Sequence, residues 1–161
     1  QAALTGHLVL STLHTNDAPS SLTRLHDLGV QPFLTAATIL GVLAQRLVRR
    51  LCPQCKQETS MNEQEWEHLT FDYIMEMPEK VFTAVGCEEC RQTGYKGRVG
   101  IYEFMPVSTE VKHLISAHAT LNELRAQTKK EGVEPLRIAG ARKVIEGVTT
   151  LEEVLRVVPL S

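Results

Sequence analysis

Aromatic residues are scarce in this chain, which has one tryptophan, three tyrosines and four phenylalanines in 161 residues. No basic cluster is interleaved with them, so the stacking platform of a single-strand nucleic-acid binder is not expected. A broad positive field is missing as well: 17 lysines and arginines face 19 acidic residues, a net charge of −2. Such a balance excludes a general affinity for a nucleic-acid backbone or an anionic membrane. There is no apolar run of about 18 residues to cross a bilayer, and the first residues lack the basic-then-apolar order of a signal peptide. The expectation is a cytoplasmic protein. Internal repeats and low-complexity tracts are also missing, which excludes a solenoid.

What is present suits a folded core, with 43% hydrophobic residues in a length that fits one domain and a small satellite. The opening "QAALTG" reads as the tail of a helix closed by Gly6, as if the chain were a fragment of a longer protein. "GHLVLSTL", 6–13, reads as a strand covered on both faces in a parallel α/β sheet. It ends in a polar fringe, Ser11 to Asp17, that includes His14. Asn16 or Asp17 can cap a helix with Pro19 in its first turn and Leu22, Leu25 and Leu28 inward, ended by Gly29. Apolar residues at helical spacing from Phe33 to Leu47 predict a second helix from Pro32 to Arg50. Beyond a cysteine-bracketed middle with one short helix near 63–71, "RVGIYEF" predicts a strand at 98–104. Four helices follow, at about 109–116, 121–131, 135–146 and 151–157, with Gly132 and Gly147 as punctuation.

All four cysteines fall into two matching pairs, Cys52-Pro-Gln-Cys55 and Cys87-Glu-Glu-Cys90, separated by the 31 residues 56–86. Each CxxC turn can offer two thiolates to one ion, and two turns complete the tetrahedral set that zinc accepts. A redox dithiol is the chemical rival. Two pairs without a thioredoxin-like βαβ context argue against it, and four unrelated reduced thiols are the plain alternative. Four sulfur ligands leave no open position, so the ion would be structural and would pin a loop that a small core orders poorly.

Four blocks in this order resemble the hexameric secretion ATPases that drive type II secretion and type IV pilus assembly. They are "GHLVLSTLHTNDA", similar to that family's histidine box; "LAQRLVRRLCPQCK"; "GCEECRQTGYKGRVGIYEFMPV"; and "GVTTLEEVLRV". The resemblance covers nearly the whole chain. It implies an α/β fold: the C-terminal part of a RecA-like P-loop motor domain, with an inserted four-cysteine zinc subdomain and a C-terminal helical subdomain. The corresponding divisions are 1–50, 51–97 and 98–161. It further implies a homohexamer at the cytoplasmic face of the bacterial inner membrane, associated with that membrane through its partners. That motor would hydrolyse ATP with Mg2+ and act on an inner-membrane platform protein. The retracting members of the wider family generally lack the cysteine pairs, so the pairs favour an extending or secreting motor. "GYKGRVGIYE" with "MPV" leans toward pilus assembly.

A phosphate loop of the form GxxxxGK[ST] does not occur in this chain. On the resemblance it lies upstream of the histidine box, so the fragment alone is expected to be inactive. The resemblance implies that His14 is catalytic and contacts nucleotide, together with Thr12 and His7. A histidine at a strand's C-terminal end can donate to a γ-phosphate oxygen, or to the carboxylate orienting the attacking water, and lose that contact when phosphate leaves. The residues alone also allow His14 to be a solvated loop histidine, with Asn16 and Asp17 only capping a helix, and His7 to make a structural hydrogen bond. Arg46, Arg49 and Arg50 read either as a solvated helical stripe or as a contact for an acidic neighbour or phosphate. Lys96 and Arg98 are candidates for a neighbouring subunit. The rival from a different class is a zinc-stapled module that binds protein or nucleic acid without catalysis.

Overall fold

The protein is described here by a computed structural model covering residues 1–158. The chain separates into two compact units. One comprises Gln1–Ala44 and Glu103–Glu134, and the other Gln45–Tyr102 and the chain from Pro135 onward. Strands β1 (Gly41–Leu51) and β4 (Tyr95–Pro106) pair with each other, and the division falls within both.

In the first unit, Ala2–Thr5 forms a 3₁₀ turn closed by Gly6 at φ 91°, the helical tail expected of "QAALTG". The expected strand over 6–13 is not formed among the described residues. That segment has no regular secondary structure, pairs with no strand, and leaves Leu8 77% and Leu10 88% exposed. A strand requires a neighbour for its N–H and C=O groups, and no described segment supplies one. The parallel sheet expected around it is likewise not among the described residues, whose two sheets are two-stranded.

Helix α1 (Ala18–Asp27) begins where its sequence signals place it. Asp17 accepts from Ser20 N at 2.8 Å, Pro19 stands in the first turn, and Leu22 is fully buried. The second helix stops early. Helix α2 is Pro32–Thr38, and the stretch read as its continuation is β1. Helical spacing had grouped Leu40, Leu43 and Leu47, yet these leucines are exposed. Burial alternates instead, through Val42, Ala44, Arg46 and Val48. Backbone bonds at the two ends of the pairing, Val107 N to Leu40 O at 3.0 Å and Cys52 N to Gly94 O at 2.9 Å, mark an antiparallel ribbon. Pairing with β4 therefore overrides the helix propensity of Leu, Ala, Gln and Arg, which is only a weak prior. The arginine stripe falls with the helix. Arg49 reaches Glu153, Arg46 points into the half-buried row, and Arg50 is exposed.

Helices α4 (Thr109–Ser116) and α5 (Leu121–Lys130) complete the first unit, α4 packing on α2 and α5, and α5 on α1. Ser108 caps α4, and Thr120 with Glu123 forms a capping box on α5. Leu22, Met105, Val111, Ile115 and Leu124 are buried here.

The second unit contains β2 (Gln57–Thr59), α3 (Glu63–Thr70), β3 (Val81–Thr83), α6 (Leu136–Ile145) and α7 (Leu151–Val157). β2 and β3 pair antiparallel, with Glu58 opposite Phe82. α6 packs on both α3 and α7. At the contact with α7 only glycine fits, because a Cβ on Gly140 would overlap a methyl of Val154.

Glu153 is the charged centre of this unit, 2% exposed. Its Oε1 lies 2.5 Å from Arg49 Nη2 and 3.0 Å from Arg156 Nε, and Arg49 N donates to Oε2 at 3.0 Å. Burial pushes its pKa up, but the bonds from Arg49 and Arg156 prevail and hold it down to about 2, against an ordinary 4.5. The ionised form is therefore the one the fold stabilises. Its contribution is complete above about pH 5 and is lost as pH falls through 2. Urea unfolding followed between pH 7 and pH 2 should show Glu153→Ala less stable by about 3 kcal/mol at neutral pH. The gap to the parent chain should close toward pH 2; a gap independent of pH would contradict this account.

Candidate functional site

Two places collect chemistry-bearing side chains, one in each unit. The sharper is the cysteine cluster. Cys52 and Cys55 lie on a turn in which the N–H groups of Cys55 and Lys56 both bond Cys52 O, at 3.3 and 3.0 Å. Cys87 and Cys90 lie on a 3₁₀ turn, Glu88–Cys90. The antiparallel β2–β3 pair closes the intervening segment at its base and brings the two turns face to face. All four sulfurs lie within 4.8 Å of one another. Cys52–Cys87 and Cys55–Cys90 are 3.8 Å apart and Cys87–Cys90 3.7 Å.

These separations match a zinc tetrahedron, in which sulfurs about 2.3 Å from the metal stand about 3.8 Å from each other. They are far too long for a disulfide, and all four thiols are free. Backbone amides support the sulfurs: Gly86 N donates to Cys55 at 3.3 Å, and Cys87 N and Gly94 N to Cys90 at 3.2 Å each. Glycine is required at both donor positions. Gly86 and Gly94 have φ of 119° and 76°, and a Cβ would meet Gln92 O at 2.9 Å and Ala84 Cβ at 2.6 Å. Burial pushes the Cys55 thiol up to about 11. Cys90 is also buried, but there the amides of Cys87 and Gly94 outweigh burial and bring it down to about 6.

The donor set fits zinc, which would be held by Cys52, Cys55, Cys87 and Cys90. With four sulfur ligands it would supply a folding constraint and leave no position for an activated water. Around the cluster, Lys96 pairs with Glu89 at 2.9 Å and Arg98 is exposed. Lys56 Nζ donates to Gly147 O at 2.9 Å and stands 4.3 Å from the centre of the Phe82 ring.

The second place is the histidine segment of the first unit. His7, Thr12 and His14 are all exposed, on a stretch without regular secondary structure. Thr5 Oγ1 lies 3.1 Å from His7 Nδ1, a local bond to the N-terminal turn. Side-chain anchoring begins at Thr15, whose hydroxyl donates to Asp17 O at 3.1 Å and accepts from Ser21 Oγ at 2.8 Å. Arg125 grips the Asp17 carboxylate through Nε at 3.0 Å and Nη2 at 2.7 Å. Buried Glu103 accepts from Ala18 N at 3.1 Å across 85 positions of sequence. Two carboxylates therefore hold the first turn of α1, where the helix dipole favours negative charge.

Sequence reading missed Glu103 and Arg125. The signal for Glu103 was present: in "IYEFM" it shares the inward row with Ile101 and Met105, an acidic residue at a core position. Arg125 lies on a helix more than 100 positions from Asp17 and carries no local signal.

The family described as "Type II/IV secretion system protein" matches residues 1–156. The "Type IV pilus assembly ATPase TfpB" of Acinetobacter baylyi is 71% identical over 161 residues, all of this chain and 28% of that protein. The "Type II secretion system protein E" of Pseudomonas aeruginosa is 50% identical over 157 residues, 98% of this chain and 31% of that protein. The "Type IV pilus assembly ATPase PilB" of Thermus thermophilus is 44% identical over 155 residues, 96% of this chain and 17% of that protein. The chain thus spans under a third of the length of these relatives.

Metal analysis of the purified chain should give about one zinc per chain, in keeping with a four-thiolate site. Cys87→Ser should lower occupancy well below one and open the segment 52–94 to limited proteolysis, as should prolonged chelation. A metal-free chain with unchanged protection would contradict a structural ion. Separately, Asp17→Ala should cost about 1–2 kcal/mol through the lost cap, read in urea.

Proposed function

The chain belongs to the type II/IV secretion system protein family, and from that premise we propose that it is the C-terminal part of a hexameric ATPase motor for type IV pilus assembly. The observation that carries this reading is the 71% identity along its whole length to a protein named as a type IV pilus assembly ATPase. Type II protein secretion is the second reading, favoured by the 50% identity to a type II secretion protein E. Homohexamer formation, a place at the cytoplasmic face of the inner membrane and a platform protein as partner belong to the same proposal. In keeping with a peripheral place, no helix among the described residues is long and apolar enough to cross a membrane.

ATP and Mg2+ do not fit the residues of this chain alone, which contains no GxxxxGK[ST] loop to cradle phosphates. In the full-length protein, His14 would stand at the edge of the nucleotide site and donate a hydrogen bond to terminal phosphate or to the carboxylate beside the attacking water. Thr12 and His7 would line the same edge. The anchoring of Thr15 and Asp17 supports this role: α1 is held firmly from its first turn, so the preceding residues have a fixed point from which to move with nucleotide state. The unpaired, exposed run 7–13 supports it too, since its apolar residues are those of a strand awaiting the rest of a sheet.

In the full-length protein, His14→Ala should lower Mg2+-dependent ATP turnover at least about tenfold, the scale of one lost transition-state hydrogen bond, while zinc content and oligomer size persist. Unchanged turnover would remove His14 from the mechanism. The 161-residue chain by itself should show no turnover above buffer, and measurable hydrolysis would overturn the division of the active site.

A further inference from the structure

Between Gln57 and Glu79 the sequence carries seven carboxylates and no lysine or arginine, an acidic island on a chain whose remainder is net basic. Beside it the second unit has a cavity of about 360 Å³, lined by one face of α3 and by the residues that follow it. Glu63, Trp66, Glu67, Thr70, Phe71 and Ile74 are among the residues that line it. Phe71 is 67% exposed and Ile74 fully so. Methionines 75 and 77 add side chains that adapt to varied partners.

Two observations separate this groove from an ordinary uneven surface. Trp66 is 3% exposed, and its indole N–H is buried without an acceptor among the described residues. Buried tryptophans usually satisfy that donor, so Trp66 is packed into the wall with one bond unmade. The groove is also held open by design of its surroundings. Arg137 of α6 donates to Leu69 O at 2.7 Å and to Phe71 O at 2.6 Å, and lies 5.1 Å from the centre of the Tyr73 ring. The loop leaving α3 is thereby fixed, and a ligand would not have to order it.

We infer that this groove docks an extended segment of a partner protein in which an apolar anchor is flanked by lysine or arginine. The anchor would pack on Phe71, Ile74 and the methionines, and the flanking cations would face Glu63 and Glu67. Charge selects this occupant: an acidic segment would be repelled by the island, and a purely apolar ligand would leave the carboxylate rim unused. The inference goes beyond the ATPase reading and does not depend on it.

Trp66 is the only tryptophan in the chain, so its emission reports directly on the groove. The zinc-loaded chain would be titrated with a synthetic peptide of Leu-Phe-Leu core flanked by lysines, and with its counterpart in which every lysine is glutamate. The lysine peptide should shift Trp66 emission saturably, and the glutamate peptide should bind at least about tenfold more weakly. The double variant Glu63→Lys, Glu67→Lys changes only exposed positions and should reverse the preference with zinc content unchanged. Ile74→Ser, which keeps the charge, should weaken the lysine peptide by about tenfold through the lost anchor. No response to either peptide, equal responses to both, or a preference that survives charge reversal would each overturn the proposal. So would sedimentation showing that the emission change follows self-association, because the occupant would then be a second copy of this chain.

Discussion

The convergence of Cys52, Cys55, Cys87 and Cys90 on one point is the constraint on which the second unit depends. Two turns that are distant in sequence must face each other, and the β2–β3 pair between them is three residues long. A ladder that short is marginal by itself in water. Four convergent sulfurs, with amides of Gly86, Cys87 and Gly94 directed at them, supply what the ladder lacks. Once the base is closed, the segment between can carry α3 and an unusual density of negative charge without further cross-links. A glutamate-rich loop would otherwise favour solvation over order. The same closure sets where β4 begins, since Gly94 bonds both Cys90 Sγ and Cys52 N just before Tyr95.

Each unit also keeps one buried glutamate that joins distant parts of its own chain. Glu153 ties α7 to Arg49 of β1, and Tyr95 extends the arrangement with its ring 4.1 Å from the Arg49 guanidinium and its hydroxyl 2.9 Å from Thr150 Oγ1. Glu103 ties β4 to the first turn of α1. A buried carboxylate is costly unless every lone pair is used, and a partly satisfied one is worse than an apolar residue. Glu153 meets that condition with two arginines and a backbone amide, which is why its ionised form prevails despite burial. Such contacts add specificity more than net stability, because only one arrangement of the elements satisfies them.

Local signals made much of this legible in the sequence. Asp17, Asn62, Ser108, Thr120 and Thr150 all cap helices in the structure, although only the cap at 16–17 was read from the sequence; α1, α3, α4, α5, α6 and α7 lie close to where helical pattern and glycine punctuation put them. The cysteine cluster was legible for a related reason: a CxxC spacing encodes its own turn. The stretch from Leu40 to Leu51 was not, because its leucines fall at helical intervals by chance while the pairing that decides its state comes from residues more than 40 positions later. Arg125 and Arg137 were missed for the same reason, since each acts through a partner that no local pattern names, whereas Glu103 stood in plain view at a core position of the strand pattern. The tryptophan groove belongs with them: sequence showed a short helix and negative charge, and only packing revealed an indole donor without an acceptor.

The stretch 6–13 failed as a strand reading, yet the failure follows from the same physics. Leu8, Val9 and Leu10 are each more than half exposed, and burying a side chain of this kind is worth about 1.5–3 kcal/mol. Three consecutive residues of this type left in water are a standing cost that no contact among the described residues offsets. Their alternative, a place in a sheet, requires a neighbouring strand that the described residues do not provide. The polar residues that follow behave differently: Thr15 and Asp17 are fully engaged with Ser21, Ser20 and Arg125. The boundary between an unsatisfied apolar run and an anchored helix start therefore falls at His14. A side chain at that boundary has a fixed element on one side and a segment free to take a new pairing on the other.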